Sequence, residues 1–343
     1  MFVRIWALAC LAVTAAASPL HQEQEFSLDR RQSAVTVQQL ADFKIYAEYA
    51  AASYCNGRNT PGQLIACSGS ACNQVSANRP STVASFSGFV TGIEGFVATD
   101  PIRREIVLSI RGSSNVRNWI TNFQFLSGSC DLVRRCRVHS GFNNAWSEIS
   151  VAAQNAVRQA RSANPSYRVV TTGHSLGGAV ATLAAAYLRA GGIPTELYTY
   201  GAPRVGNEEF ANFVSRQPGG HYRITHGADP VPKVPPFAFG YRHTTPEYWL
   251  NGGSSRTIDY GIRDIKVCTG TLSFACNNGP DIPDAVSHMY YINDMGGCSP
   301  GGFDVRIAPE NAAEVDAAFD RIIAVDRKYI EENKMPSNSS MTV

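Results

Sequence analysis

The chain carries almost no excess charge. Thirty Lys and Arg stand against 28 Asp and Glu, a net of +2, too little to argue for nucleic acid or an anionic membrane surface as a partner. Beyond the N-terminus there is no uninterrupted apolar run long enough to span a bilayer. There are no C-x2-C pairs with the spacing of a zinc site, which sets a metal centre aside, and there is no internal repeat. What is present is an ordinary globular composition, 44% hydrophobic and 17% charged. A chain of 343 residues can bury a large core, as one domain or as two smaller ones.

The start of the chain is built differently. Arg4 is the only early charge, Ile5 to Ala17 is apolar, and Ala15-Ala16-Ala17 offers a small-residue cleavage site. Residues 1–17 are expected to be a signal peptide; Pro19 and the polar stretch after it argue against a buried helix. His21 to Arg31 is polar and ends in the dibasic pair Arg30-Arg31. That predicts a propeptide over 18–31, a mature chain from near Gln32, and an extracellular location. Nine cysteines fit a secreted protein. With Cys10 in the signal peptide, local pairing suggests Cys67–Cys72, Cys130–Cys136 and Cys268–Cys276, which leaves Cys55 with Cys298. Eight cysteines allow about a hundred connectivities, so the set stays open.

The stretch around which the chain is organised is Gly173-His174-Ser175-Leu176-Gly177. The apolar run Tyr167 to Thr172 before it reads as a buried strand, and the alanine-rich run Gly178 to Ala190 after it reads as a helix. Strand, sharp turn and helix is the setting in which G-x-S-x-G carries nucleophilic chemistry. A side chain at either glycine would obstruct the turn. The helix that starts there aims free N–H groups at the point where an oxyanion would develop.

Around this elbow, strands and helices alternate. Val35 to Ala52 and Trp146 to Ala163 read as helices, and so does Glu208 to Arg216. Short strands are predicted within Ser81 to Ala98, and further strands at Glu105 to Ile110, Glu196 to Tyr200 and His221 to His226. Cys55 to Arg79 reads as loop, Val231 to Phe239 as a rigid extended loop, and Tyr241 to Ile262 as strands with a hairpin turn at Asn251-Gly252-Gly253. The alternation predicts an α/β fold with a largely parallel core. Val116, Trp119, Ile120 and Phe123 recur at helical spacing directly after a strand. On pattern alone that short helix is a packed connector; its place at a strand end keeps a lid role open. After Cys298 the pattern changes. Glu310 to Asn333 reads as a helix with the stripe Val315, Phe319, Ile322, Ile323 and Ile330, followed by a tail with a glycosylation sequon at Asn338. Two fates fit this appendage: docking on the domain, or removal on maturation.

A serine hydroxyl needs a base, and the base needs a carboxylate to orient it. On such a fold the order is Ser, acid, His. Of the later histidines, His288 is favoured because it follows the core strands, with His243 as its nearest rival; His221, His226 and His243 read as structural by default. Asp229 ends a strand before Pro230, with Asp259, Asp264, Asp281 and Asp284 as alternatives; position alone gives it a small edge over Asp259. The two backbone donors of an oxyanion hole are expected at Leu176 and Ser113.

Several separated motifs resemble the secreted filamentous-fungal lipases of the class 3 triacylglycerol lipase family, from about Val37 to Gly302. Phe43 to Cys55 is similar to that family's first helix and cysteine. Arg111-Gly112-Ser113 with Asn118-Trp119 resembles its oxyanion loop and lid. Tyr167 to Gly178 resembles its elbow, and Tyr200-Gly201-Ala202-Pro203-Arg204-Val205-Gly206-Asn207 a signature segment. Arg223 to His226 with Asp229 and Val231-Pro232 resembles the acid loop, and His288 stands where the last catalytic residue does. The resemblance implies an α/β-hydrolase fold with a mostly parallel sheet, flanking helices and a short helical lid. It implies a triad Ser175, Asp229 and His288, an oxyanion hole at Ser113 and Leu176, and lid contacts from Val116, Trp119, Ile120 and Phe123. It supports Cys55–Cys298 and Cys67–Cys72, and with the extra Cys268 and Cys276 it resembles a branch some of whose members also hydrolyse phospholipids. Residues 32–302 would form the lipase domain and 303–343 an extension. The expected substrate is an acylglycerol at an oil–water or membrane interface, with no cofactor, no metal and no obligatory protein partner. Two rivals remain. A feruloyl-esterase-like carboxylesterase would suit a polar lid, and this stripe is apolar. A catalytically silent binding protein of the same fold would usually lack Ser175 or a base.

Overall fold

The computed structural model describes residues 35–113, 124–279, 282–298 and 309–333. In chain order the elements begin with helix α1 (Val37–Asn56) and a short α2 (Asn73–Asn78). Strands β1 (Ser81–Ser87), β2 (Glu94–Asp100) and β3 (Glu105–Ile110) follow, then β4 (Ser127–Ser129) and β5 (Arg137–His139). Helix α3 (Ser140–Ala163) leads to β6 (Arg168–His174), α4 (Leu176–Ala190), β7 (Thr195–Tyr200), β8 (Gly206–Asn207), α5 (Glu208–Arg216) and β9 (His221–His226). The last elements are β10 (Tyr241–Arg242), β11 (Glu247–Leu250), β12 (Ile265–Cys268) and α6 (Pro309–Glu332).

The main sheet runs β1-β2-β3-β6-β7-β9-β11-β12. Its centre, β3, β6, β7, β9 and β11, is parallel, and β1, β2 and β12 close the two edges antiparallel. This is the mostly parallel, helix-flanked sheet of an α/β-hydrolase fold. A sheet covered on both faces needs strands that are apolar at every position, and β3 is buried along its whole length. Alternation along its residues then sorts the two faces. Val107 and Val170 join Phe43, Tyr46, Tyr49 and Ala50 of α1 in one core. Ile106, Leu108, Ile110 and Val169 join Phe142, Trp146, Ile149 of α3 and Leu183 of α4 in the other. Helix α1 is set at its start by a reciprocal cap between Thr36 and Gln39, and at its flank by the Arg103–Asp42 ion pair of 2.7 Å.

Three segments depart from expectation. Asn73–Asn78 is helical inside the stretch read as loop. The strand paired antiparallel with β11 is β12, so Asn251-Gly252-Gly253 opens a long connection instead of a tight hairpin; Asn251 N–H bonds across it to the Asp264 carbonyl at 2.9 Å. The proline-rich stretch after Asp229 folds into two 3-10 turns, Val231–Lys233 and Phe237–Phe239, because its prolines fix φ near helical values while removing the donors a strand would need. The C-terminal helix α6 is docked: Val315, Phe319 and Ile323 are buried in the same core as α1. Disulfides join Cys55–Cys298, Cys67–Cys72, Cys130–Cys136 and Cys268–Cys276, with Cα separations of 6.0, 5.7, 5.2 and 6.2 Å. Among the described residues no helix is long and apolar enough to cross a membrane.

Candidate active site

Strand β6 ends at His174 and α4 begins at Leu176, so the whole reversal falls on Ser175. Its backbone takes φ 58°, ψ −131°, a region an L-residue enters at a cost of about 1–3 kcal/mol. The surroundings impose it. Ser175 N–H bonds to the Tyr200 carbonyl at 2.9 Å, and the Ser175 carbonyl accepts from Gly178 and Ala179. Neither flanking glycine has room for a side chain: a Cβ on Gly173 would meet the Gly177 carbonyl, and one on Gly177 the Ile110 carbonyl. Ser175 is buried, and its hydroxyl has no hydrogen-bond partner among the described residues.

His288 sits on a 3-10 turn, Ala285–Met289. Its Nδ1 donates to Asp229 Oδ2 at 2.8 Å, and both side chains are fully buried. A proton held on Nδ1 toward the carboxylate leaves the lone pair on Nε2, and Nε2 has no partner among the described residues. That tautomer is the one a general base requires. Asp229 is itself fixed. Its Oδ1 accepts from Val231 N–H at 2.9 Å, and the buried Tyr291 hydroxyl donates to Oδ2. Gly201 makes the approach feasible: at φ 59° it lies where a Cβ would come within 3.0 Å of both Asp229 Oδ2 and His288 Cε1.

His174 links the elbow to its surroundings. Its Nε2 donates to the His288 carbonyl at 2.7 Å, and its Nδ1 accepts from the Tyr54 hydroxyl of α1 at 2.8 Å. That same hydroxyl packs against Gly112, in the space a side chain there would need. Burial pushes the His174 imidazole well below its ordinary pKa and the neighbouring His288 adds to this, so the ring is neutral and the donor directions are fixed. Gly112 packs on the elbow, within 3.2 Å of Ser175 Cβ for a side-chain carbon placed there. Ser113 follows it directly in the chain, and Leu176 opens α4 next to Ser175.

The rival residues lie elsewhere in role or place. His243 donates to the Pro232 carbonyl at 2.6 Å, and His226 lies between the Ser287 carbonyl and the Tyr260 hydroxyl. His221 is buried without a hydrogen-bond partner among the described residues. Asp259 is fully exposed beside Lys44, Asp264 caps a turn at Gly261, and Asp284 caps the turn that carries His288. Asp281 and the stripe Val116, Trp119, Ile120 and Phe123 lie outside the described residues. The sulfurs of Cys55, Cys67 and Cys298 gather within 4.8 Å, but all three are oxidised in disulfides and offer no thiolate to a metal. Tyr54 and Tyr291 are site residues that sequence reasoning misses; each reads there as one more core aromatic.

Known proteins resemble this chain in sequence and fold. The model of the family described as lipase (class 3) matches residues 107–239, from β3 through the elbow to the end of the acid loop. A secreted mono- and diacylglycerol lipase 1 of Fusarium solani is 49% identical over 330 residues, covering 96% of this chain and 98% of that one. The crystal structure of a mono- and diacylglycerol lipase from Aspergillus oryzae superposes with a TM-score of 0.72 at 36% identity, over 77% of this chain and 99% of that one. A triacylglycerol lipase whose catalytic centre is described as a serine protease triad superposes at 0.68 and 32% identity, over 78% of this chain and 99% of that one. Near-identical extent with the Fusarium relative, together with the elbow and sheet described above, establishes that this chain belongs to the class 3 lipase family.

Proposed function

We propose that this chain is a secreted serine lipase that hydrolyses acylglycerols, mono- and diacylglycerols foremost, with Ser175, His288 and Asp229 as its triad. The observations that carry the triad are the buried Asp229–His288 hydrogen bond with Nε2 left unpartnered, and the strained backbone and unpartnered hydroxyl of Ser175. Ser175 Oγ attacks the acyl carbonyl carbon as its proton passes to His288 Nε2. Asp229 stabilises the imidazolium, and the N–H groups at Leu176 and Ser113 receive the tetrahedral oxyanion. The intermediate collapses, the glycerol oxygen leaves with the proton from Nε2, and an acyl-Ser175 ester remains. Water, deprotonated by the same nitrogen, releases the fatty acid. No step draws on a cofactor, a metal or a second protein.

The partial-glyceride preference is supported by the names of the Fusarium and Aspergillus relatives, and secretion by the N-terminal apolar segment and the Fusarium relative's name. The apolar stripe Val116, Trp119, Ile120 and Phe123 belongs to the same reading, on its sequence pattern, as the part that meets a lipid surface. Residues 32–302 form the catalytic body and 303–343 an extension to it. The test is hydrolysis of emulsified triacylglycerol, mono- and diacylglycerol, phosphatidylcholine and methyl ferulate, with the Ser175→Ala protein as blank. Partial glycerides are expected to lead. Activity on ferulate alone would replace the lipase reading with a cell-wall esterase, and activity in the Ser175→Ala protein would remove Ser175 as nucleophile.

A further inference from the structure

The turn that carries His288 is short and lies outside the sheet, so its position depends on what satisfies its first backbone donors. Val286 N–H and the Ser287 hydroxyl bond to Asp284 just before the turn, at 3.1 and 2.9 Å. Ala285 N–H is satisfied from a distant part of the chain: it donates to Asp316 Oδ1 of α6 at 2.7 Å. Further along the same helix a second carboxylate does the same for the other loop. Asp326 accepts from Phe237 N–H and Ala238 N–H at 3.0 and 2.9 Å, capping the second 3-10 turn after Asp229, Phe237–Phe239, and it lies 3.3 Å from the buried Arg204 guanidinium. Arg204 in turn donates to the carbonyls of Lys233 and Pro235. The Tyr329 ring meets Phe237 edge-on at 5.7 Å, and Val315, Phe319 and Ile323 bury the helix between these points.

We propose that helix α6 is a clamp across the acid and base loops, with Asp316 as the positioning residue that sets the His288 turn through Ala285. Asp326 is the anchor that locks the helix to Arg204 and to the strap after Asp229. The proposal rests on the triad reading above. It concerns a segment beyond Gly302, into which the 330-residue match with the Fusarium relative extends. It implies that the extension is a working part of the active enzyme. Losing the Asp316 bond leaves Ala285 N–H without its acceptor and frees the turn to shift, and a base displaced by a fraction of an ångström transfers protons poorly.

The test uses the full chain and a soluble short-chain p-nitrophenyl ester below its solubility limit. Asp316→Ala is expected to lower kcat about tenfold, a part of the 10²–10⁴ a general base supplies, with KM within about twofold. Asp316→Asn keeps an oxygen that accepts from Ala285 and is expected to stay within about twofold of the native kcat. Asp320→Ala, on the same helix and paired with the half-buried Arg327, is expected to be native. Ala285→Pro removes the donor from the other side of the bond and supplies a second route should Asp316→Ala fail to fold; it is expected to lower kcat to a similar degree. A native kcat in a folded Asp316→Ala or Ala285→Pro protein overturns the clamp, and so does an Asn variant as slow as the Ala variant. Ser175→Ala and His288→Ala run alongside: if they retain activity the triad reading falls, and if they are dead while Asp316→Ala is native only the clamp falls.

Discussion

The His174 imidazole donates to the backbone carbonyl of His288 over 2.7 Å, so the residue before the proposed nucleophile supports the residue proposed as its base. The bond works in one direction only. A carbonyl can only accept, so Nε2 carries the proton and Nδ1 must accept from Tyr54. The links Tyr54 to His174 and His174 to His288 then tie the first helix, the elbow and the base loop into one polar run, with Gly112 of the oxyanion loop packed against the Tyr54 hydroxyl. Each member is buried, so breaking any link strands a donor or an acceptor away from water.

Tyr54→Phe tests that run with little change in shape. It deprives His174 Nδ1 of its donor. Burying such a group unpaired costs about 1–3 kcal/mol. The expected result is a lower melting temperature and a kcat reduced by about tenfold on a soluble ester, since Gly112 packs directly on Ser175. Native kinetics in this variant would show that the oxyanion loop is held by other contacts.

Gly201→Ala should be far more damaging than its size suggests. The residue sits at φ 59°, and the added methyl carbon would lie 2.9 Å from the Tyr291 hydroxyl and 3.0 Å from Asp229 Oδ2 and His288 Cε1. The left-handed backbone costs about 1–2 kcal/mol for a non-glycine residue, and the acid and base must also move apart. Activity is expected to fall by about 100-fold or more while the far-ultraviolet circular dichroism stays native. A Gly201→Ala protein that keeps most of the native kcat would mean that the acid–base pair tolerates the shift this methyl group forces.

The legible parts of this chain are those governed by local pattern. Glu105–Ile110, Glu208–Arg216 and His221–His226 fall where their apolar spacing puts them, and the elbow is legible because glycine, serine and flanking periodicity all encode one turn. The acid and base are harder. Asp229 and His288 are 59 positions apart, and residue pattern alone leaves Asp259 and His243 open; chain order and the family resemblance narrow them. Tyr54, Tyr291, Asp316 and Asp326 are not legible at all. A tyrosine that donates to a carboxylate looks, in sequence, like one that fills a core, and an aspartate that caps a turn in another part of the chain looks like a solvated one. The Asn251-Gly252-Gly253 turn misleads for the opposite reason: a local hairpin signal is present, but the strand that pairs with β11 lies beyond Gly261.

The bridge between Cys55 and Cys298 closes a loop of 243 residues. It fastens the end of α1 to the segment that follows His288. In the chain-entropy account a loop of that length stabilises the fold by about 5 kcal/mol, a model-dependent figure. The Cys55→Ala/Cys298→Ala protein should therefore unfold at markedly lower denaturant concentration, whereas Cys268→Ala/Cys276→Ala, closing 8 residues, should lose less. Equal losses from the two pairs would point to local packing around the sulfurs as the dominant effect.

Acid should destabilise the fold through its buried histidines. Burial holds His139, His174, His221, His226 and His243 below the ordinary imidazole value of 6.5, with His221 pushed down to about 3 by burial and by the nearby Arg189 and Arg223. A folded pKa below the unfolded one means that the unfolded chain binds more protons as pH falls. The stability is therefore complete above about 6.5 and is lost as pH drops below it, by about 1.4 kcal/mol per pH unit for each such group. Glu48, Asp316 and Asp326, raised by burial from 4.5, 3.8 and 3.8, act with the opposite sign, favouring the fold at low pH and losing that contribution as pH rises through their folded values. The histidines govern the approach to pH 5 because they outnumber these carboxyls and their window opens at 6.5. His221 is the cleanest probe, since neither ring nitrogen has a hydrogen-bond partner among the described residues. His221→Leu should leave stability at pH 7 within about 1 kcal/mol of native and make the loss between about pH 6.5 and 5 shallower by about 1.4 kcal/mol per unit. Denaturant titrations of both proteins across that range measure the slope, and an unchanged slope would mean that His221 is already protonated in the folded chain.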